Sequence, residues 1–364
     1  MATFATTGAS VKVGTTTQVS GSTANDFTNP VTYIVTAADA STVNYTVTVT
    51  MLSGGTWTPQ KANFGGVARK EAVAFTIGTK GYMGTGVNAS GTCLSDFWEY
   101  DTSTNAWTQM ADFGVADDEV DTPLVRSEAV GFAVSGKGYV GTGTDGTTLY
   151  SDFWEFNPVA NTWAPKTGFG YTVSDTDVNG TARKAAVGFN IGTTGYVGTG
   201  IDASGYTSDF WSYVPGTDTW TKMASFAGGA RASAVGLCIG SNGYIGTGYN
   251  GSAYFRDFWE YDPATNAWTQ RANFGGDARM NAVALYCACS NGYVGLGMVP
   301  CGYFDDFWEY NASTDTWTQR KEFGGGPRAA AAGFSTGSKN HFVGTGEDDT
   351  STLYKDFWKY EPPS

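Results

Sequence analysis

Twelve tryptophans punctuate this chain, and each falls on a beat. Six stand in Asp-Phe-Trp tripeptides: Trp98, Trp154, Trp211, Trp259, Trp308 and Trp358. The other six precede Thr or Ala: Trp57, Trp107, Trp163, Trp220, Trp268 and Trp317. Self-similarity at roughly 40 to 50 residues marks a radial or stacked array of β units, none able to bury its apolar face alone. Composition agrees. Fifty glycines, 15% charged and 15% aromatic residues over 364 positions, without long apolar helical stripes, read as an all-β chain with many tight turns.

The first unit runs from Trp57-Thr58 through Phe64-Gly65 and Arg69 to an apolar inner run, residues 72–78. Gly81-Tyr82-Met83-Gly84-Thr85-Gly86 comes next, then a variable loop, then Asp96-Phe97-Trp98-Glu99-Tyr100-Asp101. Trp107 opens the next unit. Each unit thus holds four short β segments, called here inner, second, third and outer. Small residues suit the inner strand, where sheets converge, and large aromatics suit the wider wedge outside it. Four-stranded sheets packed radially make a propeller. The third strand begins six times, at Asp96, Asp152, Asp209, Asp257, Asp306 and Asp356. The last unit ends at Tyr360-Glu361 without an outer strand, and an orphan outer strand stands at Trp57-Thr58. Closure through the N-terminal strand completes the sixth blade and removes an exposed edge.

In five units an aromatic of the third strand precedes the outer Trp by seven positions: Tyr100/Trp107, Phe156/Trp163, Tyr213/Trp220, Tyr261/Trp268 and Tyr310/Trp317. The run Tyr261-Asp262-Pro263-Ala264-Thr265-Asn266-Ala267-Trp268 resembles the kelch repeat. Over about residues 57 to 361 the chain resembles a six-bladed kelch propeller of the galactose oxidase-like superfamily. Kelch units usually close the second strand with Gly-Gly, whereas these have Gly-Thr-Gly, or Gly295-Leu296-Gly297. That departure suits a divergent, bacterial branch. Relatives of this kind include copper-radical galactose oxidases and sialic acid mutarotases. The former need paired His ligands, and this chain has one His, His341.

Residues 1–52 lack the repeat, which sets the expected domains at 1–52 and 53–364. Val31–Thr36 and Asn44–Thr50 alternate like half-buried strands around a turn at Ala38-Asp39-Ala40-Ser41. From Asp26-Phe27 to Thr50 the segment resembles the closing strands of a bacterial immunoglobulin-like surface domain. Such domains run to about 100 residues, so this is a small, sandwich-like part of one. It is a trimmed domain, a segment packed on the propeller, or one completed by a neighbouring chain in a homo-oligomer.

A net charge of −13 offers nothing to nucleic acid or an anionic membrane. No run of 18 apolar residues predicts membrane insertion, and the first residues lack the pattern of a signal peptide. Five cysteines leave at least one unpaired within the chain. Cys287 and Cys289, two apart, share one face of a predicted strand, Cys238 lies on the equivalent strand one unit earlier, and Cys93 and Cys301 lie in loops, so buried small residues and loop thiols are expected.

Chemistry is expected on the face shared by the outer-to-inner and second-to-third loops. An Arg precedes the inner strand in all six units: Arg69, Arg126, Arg183, Arg231, Arg279 and Arg328. Six guanidiniums around an axial channel suit a carboxylate or an acidic sugar. The alternative is that each pairs with the Asp beginning a third strand. The variable rim carries Tyr150, Tyr206, Tyr254, Phe255, Tyr303, Phe304 and Tyr354, which suit stacking on a sugar or docking a protein. Two outer-to-inner loops are long and acidic, 115–123 and 171–181. In the second, Asp175, Asp177 and Asn179 open like a Ca²⁺ loop, but its twelfth position is Ala186, so an EF-hand is excluded. No cofactor is expected other than calcium in that loop.

No Gly-x-Ser-x-Gly, His-Glu-x-x-His or phosphate loop appears. The expectation is therefore a non-enzymatic extracellular or cell-surface binding module for a glycan or protein. The alternatives are a structural subunit completed by a neighbour and a carbohydrate-active enzyme using loop carboxylates.

Overall fold

The computed structural model describes residues 4–27, 29–47, 54–60, 62–115, 123–171, 181–286 and 291–363. It divides into two compact units, Met1–Ser53 and Gly54–Ser364. No helix among the described residues is long and apolar enough to cross a membrane.

The N-terminal unit is one antiparallel sheet in the order Thr16–Thr17, Ser10–Val13, Val31–Thr36, Thr42–Val47. The two central strands carry its core, Val11 and Tyr33. Phe4 meets Tyr33 edge-on at 6.3 Å and Phe27 stacks at 6.5 Å. The Asn25 amide donates to the Tyr33 hydroxyl at 3.0 Å. The expected turn is an Asx turn: Ser41 N donates to Asp39 Oδ1 at 2.9 Å, and Ala40 takes φ 67°. The edge strand Thr42–Val47 is exposed along its whole length, with Tyr45 56% accessible. The first two strands go beyond the sequence expectation, because Val11-Lys12-Val13 is too short an alternation to stand out.

The second unit holds six four-stranded antiparallel sheets, each running inner to outer. The first comprises Val73–Ile77, Lys80–Gly84, Phe97–Asp101 and Ala106–Met110. The sixth takes Ala332–Ser335, His341–Gly344 and Phe357–Glu361 from the C-terminus and Thr56–Pro59 from the N-terminal side. Tyr360 pairs with Trp57 across that seam, so the ring closes as the repeat demands.

The seven-residue spacing has a direct cause. Tyr100 lies opposite Trp107 in an antiparallel pair, rings 5.0 Å apart. The tight turn between them places Asn105 in the left-handed region, φ 53°, where its Oδ1 accepts from the Tyr100 hydroxyl at 2.7 Å. Asn266 in the fourth blade accepts from Tyr261 and also from the backbone N of Ala224 in the third. The Trp268 indole N–H then donates to Ala224 O at 3.0 Å. One Asn and one Trp thus staple neighbouring blades, and Trp57 makes the same bond to Lys321 O at the seam. Inner glycines let the blades approach. A Cβ on Gly81 would lie 2.0 Å from the Phe334 ring, and one on Gly138 2.3 Å from Phe75.

Candidate functional site

The six arginines lie inside the blades. Each is fully buried. Arg231 shows the common arrangement: Nη1 donates to Asp257 Oδ1 at 2.6 Å and to Thr247 O at 2.9 Å, and Nη2 to Asp257 Oδ2 at 2.9 Å. Its guanidinium carbon sits 4.9 Å from the Phe226 ring centre and 3.9 Å from that of Phe255. Arg69, Arg183, Arg279 and Arg328 pair with both oxygens of Asp96, Asp209, Asp306 and Asp356 in the same way. Arg126 keeps one such bond, Nη2 to Asp152 Oδ2 at 2.6 Å, while its Nε and Nη1 are buried without a partner. Each Asp also accepts from the indole of the Trp two residues later, as Asp257 does from Trp259 at 2.8 Å. Pairing with the third-strand Asp, the alternative weighed for these residues, is where the structure puts them. The expectation that they ring the channel as exposed ligand donors does not match their burial.

The rim aromatics divide into two sets. Tyr150, Phe255, Phe304 and Tyr354 cover the guanidiniums of Arg126, Arg231, Arg279 and Arg328 at 3.7, 3.9, 3.9 and 4.0 Å. They complete a Phe–Arg–aromatic sandwich and hold the loops to the blades. Tyr206, Tyr254 and Tyr303 each precede such a position by one residue and remain partly exposed. Tyr249 joins them, a residue that the sequence pattern does not single out. It stacks on Tyr254 at 4.5 Å and meets Tyr206 edge-on at 6.0 Å, giving a three-ring row across the loops of the third and fourth blades.

The residues lining the axial channel stand just beyond the arginines. Glu71, Glu128, Ala185, Ser233, Asn281 and Ala330 each lie two residues after an Arg, with φ between 51° and 60°. That left-handed step places these residues, rather than the arginines, around a cavity of about 180 Å³ at the channel mouth. Backbone N–H groups link the ring: Glu71 to Ala330 O, Ala330 to Asn281 O, Asn281 to Ser233 O, Ser233 to Ala185 O and Ala185 to Glu128 O, at 2.9 to 3.0 Å. Ala72, Ala129, Ala186, Ala234, Ala282 and Ala331 line the same cavity and continue the lining below. Towards the opposite end Tyr286 reaches across the axis and donates to Asn190 Oδ1 at 3.2 Å.

Charge at the mouth is uneven. Lys184 pairs with Glu128 at 2.9 Å and Lys70 with Glu347 at 2.8 Å. Burial and the neighbouring Glu128 carboxylate push Glu71 up to about 7. Cys93 is buried, with Sγ 3.5 Å from Ser127 Oγ, Cys238 is half-buried and Cys301 exposed. Cys287 and Cys289 lie outside the described residues, as do Asp175, Asp177, Asn179 and most of both long loops. Among the described residues no cluster of His, Cys, Asp and Glu could hold a metal.

Residues 81–114 match the family model of the Kelch motif. A solved structure titled "Structure of YjhT" superposes with a TM-score of 0.63 over 81% of this chain and 95% of that chain, at 15% identity. The second unit has the fold of a six-bladed β-propeller of kelch type. Residues 3–49 match the model described as SGBP, N-terminal, a segment of surface glycan-binding proteins. No curated protein matches the sequence. The kelch propeller with this N-terminal segment fits a surface-associated module that binds glycan or protein.

Proposed function

We propose that this kelch propeller binds a glycan on the face formed by its outer-to-inner and second-to-third loops, as a surface binding module. The observation that carries the reading is the row Tyr206–Tyr249–Tyr254, partly exposed beside the channel mouth. Aromatic faces present apolar area to sugar C–H groups at low conformational cost, while their hydroxyls stay hydrated. These rings belong to loops that depart from the repeat, so they can distinguish one side of a six-fold scaffold from another. The buried Asp–Arg sandwiches beneath hold those loops rigid, and rigidity lowers the entropic cost of binding.

Glycan-array binding by the purified chain, lost on Tyr254→Ala with an unchanged circular dichroism spectrum, is the expected outcome. A blank array at high protein concentration refutes the reading. The paired carboxylates Glu71 and Glu128, one with a raised pKa, favour a second reading as a glycan-cleaving enzyme. Release of shorter sugars from a bound oligomer, abolished by Glu71→Gln, would establish that instead.

A further inference from the structure

The mouth of the axial channel differs from the Asp–Arg pairs inside the blades in how its carboxylates are matched. Inside the blades each third-strand Asp is answered by an Arg and a Trp, as Asp257 is by Arg231 and Trp259. At the mouth this matching stops. Glu128 and Glu347 have lysine partners, but among the described residues no hydrogen bond reaches the side chain of Glu71, Ser233 or Asn281, all of which line the cavity or adjoin it. The chain of backbone bonds around the mouth runs from Glu71 through Ala330, Asn281, Ser233 and Ala185 to Glu128. The position between Glu128 and Glu71, in the first two blades, has no such link among the described residues. Both carboxylates therefore stand together on one side of the opening, with the amide of Asn281 and the hydroxyl of Ser233 on other blades of the ring.

The occupant can be reasoned from this lining. A carboxylate with burial and a like charge against it, and no hydrogen bond or salt bridge to either neighbouring lysine, favours a positive group with several N–H donors. A primary ammonium offers three, and the lining offers carboxylate, amide and hydroxyl oxygens as acceptors. Below the mouth the lining is alanine, valine, glycine and Tyr286 and carries no charged side chain, so the carboxylates that can hold a charged group stand at the mouth. The rest of the ligand must then lie outward, over the loops. There the Tyr206–Tyr249–Tyr254 row stands on the same face, and Tyr206 and Tyr303 are close enough to act on Lys184 and Lys70, the lysines beside the mouth.

We infer that the channel mouth is a binding subsite for the free amino group of a de-N-acetylated amino sugar, held by Glu71 and Glu128 with Ser233 and Asn281. This deepens the glycan reading and rests on it. Burial and the charges of Glu128 and Glu347 raise the Glu71 pKa to about 7, and the opposing pull of Lys70 and Lys184 does not offset them.

Isothermal titration of the full chain with glucosamine oligomers and with N-acetylglucosamine oligomers of equal length tests the inference. The amino form should bind about tenfold or more tightly, the order of one charge-assisted hydrogen-bond set. Glu71→Gln should lower the affinity for the amino oligomer by a similar factor, with an unchanged thermal midpoint showing that the fold persists. Equal affinity for the two oligomers, or no loss in Glu71→Gln, overturns the subsite and leaves the glycan reading standing. Binding of neither oligomer with a positive glycan array overturns the subsite alone, and a blank array overturns both. A lysine-rich peptide that displaces the oligomer and needs Glu71, bound more tightly than the sugar, overturns the amino-sugar assignment in favour of a protein partner.

Discussion

Replacing Asp257 by Asn isolates the interaction that repeats through all six blades. Arg231 is fully buried, and Asp257 supplies both oxygens that neutralise it. In the Asp257→Asn variant the amide oxygen can still accept from the Trp259 indole, but the buried guanidinium loses its counter-charge. Breaking a buried ion pair from one side costs about 3–5 kcal/mol. Against a typical domain stability of about 5–15 kcal/mol, that is about a fifth or more. Since unfolding free energy falls linearly with denaturant, the urea midpoint should drop by a similar fraction. The converse change, Arg231→Met, leaves Asp257 with 19% of its side chain exposed and its Trp259 bond intact. Water can solvate that carboxylate, so a smaller cost of about 1–3 kcal/mol is expected. Urea unfolding at pH 7 followed by Trp fluorescence, with the double variant closing the cycle, measures both. If Asp257→Asn shifts the midpoint no more than Arg231→Met, the guanidinium is not confined as the structure has it. If neither changes stability while acidic-glycan binding disappears, the arginines are ligand residues after all.

Three further outcomes are expected from the packing. Deleting residues 1–60 removes Thr56–Pro59 and leaves the sixth blade three-stranded, so the chain should aggregate or lose most of its thermal stability; a fragment 61–364 as stable as the full chain would show that the seam is dispensable. Gly81→Ala puts a Cβ 2.0 Å from the Phe334 ring between the first and sixth blades, and the forced repacking should cost about 1–3 kcal/mol in the same unfolding assay. His341 is fully buried, its Nδ1 2.7 Å from Ser335 Oγ, and burial holds its pKa down at about 4. Between pH of roughly 6.5 and 4 the unfolded chain therefore binds a proton that the folded chain refuses, so stability falls by about 3 kcal/mol as pH drops through that window; His341→Gln should flatten that part of the profile, and an unchanged slope would assign the acid sensitivity to other groups.

The blade count, the closure and the composition of each strand were legible because they rest on short-range geometry repeated six times. The seven-residue Tyr-to-Trp spacing is the length of one hairpin, and the orphan Trp57 needed a partner that only Tyr360 could supply. The site was less legible. Arg at the head of each inner strand looks like a channel residue if the chain runs straight. The left-handed residue two positions on, Glu71 or Ser233 for example, redirects the backbone and takes the channel position instead. Nothing in a run such as Arg69-Lys70-Glu71 announces a positive φ, since Glu and Ala rarely adopt one. Tyr249 escaped notice because it closely follows the second strand, where the repeat has Val87, Thr144 and Glu347 in its place, and only the loop crossing brings it onto Tyr254. The division of the rim aromatics into guanidinium covers and exposed rings was hidden for the same reason: adjacent residues, such as Tyr254 and Phe255, point to opposite tasks.

Hydrogen–deuterium exchange of the full chain, with and without a saturating oligosaccharide identified on the array, tests the assigned face most directly. Protection should concentrate in the second-to-third loops around Tyr206, residues 249–255 and residues 298–304, and in the residues flanking Glu71 and Glu128. The hairpin turns between inner and second strands, such as those at Gly78 and Gly240 on the opposite face, should exchange as in the free protein. Protection of those turns with unchanged loops would place the ligand on the wrong side of the propeller and contradict the account.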